Sequence, residues 1–85
     1  MGLLKSTHNL VIMDGSNKVN VFTIVAKIGE IVGKHKTCMV KVSSLDENHP
    51  TMVVVEYAAG IMKHSKLKKE LDKRYPGLCS YDVAV

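Results

Sequence analysis

The chain has 85 residues, 46% of them hydrophobic and 24% charged, with 12 basic and 8 acidic side chains for a formal net charge of +4. That balance describes one globular domain and excludes a disordered tail. No apolar run approaches the roughly 20 residues of a membrane-spanning helix, and Met1-Gly2-Leu3-Leu4-Lys5 lacks the apolar core of a secretory signal, so cytoplasmic residence with no membrane contact is expected.

A short flexible arm, residues 1–7, is expected to precede the single domain of residues 1–85. Asn9 to Met13 is a compact apolar run closed by Asp14-Gly15-Ser16-Asn17, and reads as a first strand and turn. Val19 to Lys34 carries polar residues at Asn20, Thr23, Lys27, Glu30 and Lys34. Apolar Val21, Ile24, Val25, Ile28, Ile31 and Val32 fill the other side, which predicts an amphipathic helix. The Val, Ile and Thr content instead favours a strand, and Asp14-Gly15 could open a hairpin into Lys18 to Val25. Periodicity decides for the helix, because a strand would put Lys27 and Glu30 on opposite faces. Gly29 and Gly33 then mark close packing or an end cap.

Thr37 to Ser44 alternates as a second strand, Leu45 to Pro50 is a polar loop, and Thr51 to Tyr57 is a third strand antiparallel to the second. Ile61 to Tyr75 carries Leu67, Leu71 and Tyr75 on one helical face and stops at Pro76-Gly77. Ser65 could instead cap a shorter helix starting near Lys66. Cys79 to Val85 is the fourth strand.

This alternation predicts an α+β, ferredoxin-like βαββαβ two-layer sandwich with a four-stranded antiparallel sheet. Right-handed crossovers place both helices on one face, the first and third strands at the centre, and the second and fourth at the edges. Cys38 and Cys79 then begin opposite edge strands, three spacings of about 4.8 Å apart, and are expected to be free thiols.

One sheet face is left without helices. Strand alternation predicts Val40, Val42, Val53, Val55, Tyr57, Tyr81, Val83 and Val85 inward. It leaves Met39, Lys41, Ser43, Met52, Val54, Glu56, Ser80, Asp82 and Ala84 outward. Met39, Lys41, Met52, Val54 and Glu56 are the candidate protein-binding residues, since methionines recur on adaptable interfaces and exposed apolar patches mark them. With the parity shifted by one, the methionines would be core. The preferred expectation is a small non-enzymatic regulatory or adaptor protein that binds a partner or itself through this face or an edge strand.

The charge is localised. Ile61 to Tyr75 holds Lys63, Lys66, Lys68, Lys69, Lys73 and Arg74 against Glu70 and Asp72, which is the whole net excess of +4. Lys63, Lys66, Lys69, Lys73 and Arg74 are therefore the alternative candidates for nucleic-acid contact; the competing reading is a solvated helix face. A comparison with the RNA-recognition motif fails at its base-stacking positions. The first strand has no aromatic residue, and Tyr57 on the third is expected to face inward.

Asp14-Gly15-Ser16-Asn17 ahead of a helix, in this strand order, loosely resembles small ligand-sensing domains of the ACT type over the first half of the chain. That resemblance implies a dimer-interface pocket for a small metabolite formed by residues 14–17 and an edge strand. No cofactor, metal or catalysis is expected. His8, His35, His49 and His64 have no ligand spacing with one another or with the cysteines, there is no phosphate loop, and Cys79 has no evident base.

Overall fold

The computed structural model describes residues 5–14, 20–40 and 52–82. Its elements run β1 (Ser6–Met13), α1 (Val21–Val32), β2 (His35–Val40), β3 (Met52–Ala59), α2 (Ile61–Arg74) and β4 (Cys79–Tyr81). The four strands form one sheet in the order β2-β3-β1-β4, and every neighbouring pair is antiparallel. This is the α+β ferredoxin-like arrangement expected from the sequence, with β1 and β3 central. Cys38 and Cys79 lie on the two edge strands as free thiols.

β1 starts earlier than its apolar run. Ser6 and Thr7 pair with Ala59 and Ala58, so backbone pairing rather than apolar content extends the strand into the expected arm. α1 is a helix despite its β-branched composition. Its three-and-four spacing buries Val21, Ile24, Ile28 and Val32, and tertiary burial of that stripe outweighs the local propensity. Asn20, expected within the helix, is instead its cap: the Asn20 side chain accepts from Phe22 N–H at 2.9 Å.

Both glycines of this region are explained. Gly33 caps α1 with φ of 83°, and a Cβ at Gly29 would meet His35 at 3.3 Å. α2 begins at Ile61 after Gly60 rather than at Ser65, and buries Leu67 and Leu71.

The core lies between the sheet and the helix layer. Leu10 and Ile12 from β1, with Val53, Val55, Tyr57 and Ala59 from β3, meet Ile24, Ile28, Leu67 and Leu71 from the helices. The inward assignment of Val53, Val55 and Tyr57 thus holds. The assignment on β2 does not. Met39 pairs with Val53 and Val40 with Met52, and side chains directly opposite in a ladder share a face. Met39 therefore projects toward the helix side, 58% exposed because β2 is an edge, while Val40 belongs to the open face. The apolar alternation that predicts the opposite parity runs on into Lys41, Val42 and Ser43, which lie outside the described residues, as do residues 1–4, 15–19, the rest of 41–51, and 83–85.

Candidate functional site

The register builds the open sheet face row by row. Met52 lies between Met13 and Val40, and Val54 lies between Val11 and Cys38. These six residues form one apolar patch across three strands, with Met13 half exposed. The next row is polar: Glu56 lies between Asn9 and Lys36. Of the residues expected on this face, the fold brings Met52, Val54 and Glu56 together and sends Met39 to the other side. Lys41 is outside the described residues. Met13, Val11, Val40 and Cys38 were missed. The sequence alternation gives no outward set for β1, and for β2 it gives the parity opposite to the one the ladder shows.

The basic residues of α2 are exposed at Lys63, Lys66, Lys69, Lys73 and Arg74. At 3.6 residues per turn, Lys66, Lys69 and Lys73 lie on the side away from buried Leu67 and Leu71. Arg74 Nε sits 3.5 Å from Glu70 Oε2 on the same helix.

The densest chemistry occurs where no sequence spacing indicated it. His8 on β1 shares the inward parity of Leu10 and Ile12, and its ladder partner is Tyr57. His64 precedes Leu67 and Leu71 by three and seven residues, so it rides on the buried stripe of α2. The two imidazoles stack with centroids 3.7 Å apart and planes 8° from parallel.

Asp82 completes the group by an unusual route. It was expected to face outward as part of β4, but the strand ends at Tyr81 and Asp82 takes a φ of 56°, a left-handed conformation that aspartate tolerates better than most residues. Its backbone N–H donates to the Asn9 carbonyl, and its carboxylate turns onto the histidines. Asp82 Oδ1 is 2.9 Å from His8 Nδ1, and Oδ2 is 3.6 Å from His64 Nε2. The Tyr57 hydroxyl lies 2.7 Å from His64 Nδ1. Tyr81 meets the His64 ring edge-on at 6.3 Å, with Lys68 Nζ 5.3 Å from the Tyr81 ring centre.

The electrostatics follow from burial. His64 is held below its ordinary range, first by burial and then by neighbouring His8 and Lys68, with Asp82 acting in the opposite sense. Burial, reinforced by Asp82, raises Tyr57, which stays a neutral phenol able to donate or accept. Tyr81 is raised mainly by burial as well, and its buried hydroxyl has no hydrogen-bond partner among the described residues. Burial and then Asp72 push the Cys79 thiol up to about 11, which keeps it protonated and poorly nucleophilic at neutral pH.

Asp14, from the turn that resembles the ACT arrangement, is buried at 2% exposure, while the rest of that turn is outside the described residues. Among the described residues, no helix is long and apolar enough to cross a membrane. In comparisons with known proteins, no family model, curated protein or solved structure matches the chain.

Proposed function

We propose that the chain is a small binding module that associates with a second copy of itself through the apolar end of its open sheet face. The observation that carries this reading is the contiguous patch of Val11, Met13, Cys38, Val40, Met52 and Val54, on the sheet face away from the helices. Electrostatics favour a second copy as the occupant. The described net positive excess is on α2, where two molecules repel, whereas the polar row of the open face sets Lys36 beside Glu56. Two such faces can meet without a like-charge penalty, and a twofold arrangement lets each lysine approach the other copy's glutamate.

Sedimentation velocity over a range of concentrations tests this reading. A dimer that Met52→Asp or Val54→Asp converts to a folded monomer supports it. A monomer at all concentrations, or a dimer indifferent to both substitutions, overturns it.

A second reading has its own observation: Lys66, Lys69 and Lys73 share the solvent side of α2, where basic residues outnumber the neighbouring Glu70 and Asp72. It predicts nucleic-acid binding through phosphates, weakened by salt and lost in the Lys66→Glu/Lys69→Glu/Lys73→Glu triple variant. Heparin retention and labelled-oligonucleotide binding that the triple reversal leaves unchanged would remove it.

A further inference from the structure

His8, His64 and Asp82 come from a central strand, a helix and the end of an edge strand. Each offers a donor atom, and those atoms all lie within 4.8 Å of one another. His8 Nδ1 lies 2.9 Å from Asp82 Oδ1 and His64 Nε2 3.6 Å from Asp82 Oδ2, values on either side of the donor spacing of about 3.3 Å in a tetrahedral site with bonds near 2.0–2.1 Å. We propose that these three side chains bind a divalent transition-metal ion of the zinc class, at the seam of β1, α2 and the end of β4. This inference stands independently of the sheet-face reading.

The donor set selects the ion. Two imidazole nitrogens and one carboxylate suit Zn2+, Co2+, Ni2+ and Cu2+, whereas Mg2+ and Ca2+ require oxygen-rich shells. Asp82 is half exposed, with 53% of its side chain accessible, so a fourth position opens to water, as in a site that exchanges its ligand.

Tyr57 supplies the outer support such sites need. Its hydroxyl, 2.7 Å from His64 Nδ1, accepts from Nδ1–H when the ion takes Nε2, and this fixes the ring tautomer and orientation. Without the ion the same hydroxyl rotates and donates to Nδ1 while Nε2 keeps the proton. Metal capture therefore shifts one proton between the two nitrogens of His64 and leaves the imidazole neutral. Two features set the affinity below that of a structural zinc site. The ring planes lie nearly parallel, so their in-plane lone pairs run side by side, and one imidazole must turn about χ2, a soft torsion, to converge on the ion. Lys68 adds a nearby positive charge.

The test uses the full chain, stripped with chelator and dialysed. Calorimetric titration with ZnCl2 is expected to give one site of micromolar affinity, and CoCl2 the intense visible band of a four-coordinate ion. His8→Ala, His64→Ala and Asp82→Ala should each weaken binding at least tenfold, and Tyr57→Phe about tenfold. Cys38→Ser and His35→Ala should leave it unchanged. A measurement on the unmutated chain avoids any question of folding in the variants. Substoichiometric Ni2+ should broaden the imidazole resonances of His8 and His64 and spare those of His35. Absence of binding, broadening centred on His35, or binding that survives loss of His64 or that vanishes with Cys38 would each overturn the proposal.

Discussion

Val54 and Val55 are neighbours in sequence with opposite surroundings, and placing an aspartate at each tests both the register and the proposed interface. Val55 is fully buried between Leu10 and Thr37 in the ladder, in the core under the helices. An aspartate there cannot stay ionised. Protonating it at pH 7 against an ordinary value of about 3.9 costs about 4 kcal/mol. The lost apolar transfer of valine adds about 1.5 kcal/mol or more, and the unpaired carboxyl group a further 1 to 3 kcal/mol. A domain of 85 residues has a total stability of about 4 to 13 kcal/mol, so Val55→Asp should unfold the chain or bring it to the edge of unfolding. Val54 faces the open side, where a carboxylate reaches water, and Val54→Asp should cost only about 1 kcal/mol in the monomer while abolishing association. Urea denaturation followed by circular dichroism, with sedimentation of the folded fraction, reads both effects. Equal destabilisation by the two substitutions would refute the assigned faces. A folded Val54→Asp variant that still associates would refute the interface.

The remaining predictions probe other parts of the sheet and the histidine cluster. Met39→Asp should leave association intact and cost less than about 1 kcal/mol, because the register puts this exposed side chain on the helix side of an edge strand; sedimentation of the variant checks it. Tyr57→Phe removes the 2.7 Å hydrogen bond to His64 and should cost about 1 kcal/mol by equilibrium denaturation, since His64 keeps some access to water. Stability should fall as pH rises from 9.0 toward about 11. In that window the unfolded chain ionises Cys79 while the folded chain holds its thiol neutral. A pH series of urea midpoints should show this decline, shallower in Cys79→Ala; an identical slope in the variant would assign the decline to other groups.

The elements were legible because each carries a period that burial then enforces. Ile24, Ile28 and Val32 recur at helical spacing, and the helix formed despite a composition that favours strands. Val53, Val55 and Tyr57 alternate, and that parity was also correct. β2 was harder to read. Edge position leaves His35–Val40 mostly exposed on both faces, so its alternation contains little burial signal and only the ladder reveals which side Met39 takes. The histidine cluster was partly legible. Extending the inward parity of Leu10 and Ile12 back by one step reaches His8, and extending the Leu67–Leu71 stripe back by one turn reaches His64. Asp82 was hidden, because its carboxylate depends on a left-handed backbone turn that reverses the direction given by strand alternation.

The bond between His8 and Asp82 joins positions 74 apart, so it forms only when β1 and the turn after β4 have met across the sheet. That gives the cluster a use in following how the molecule assembles. A species built from α1, β2 and β3 alone lacks the imidazole stack, however compact it becomes. Ring-current displacement of the His64 resonance by His8 would mark molecules in which β1, α2 and the turn after β4 have all arrived. A refolding experiment that follows this resonance beside backbone ellipticity separates a collapsed chain from a finished one.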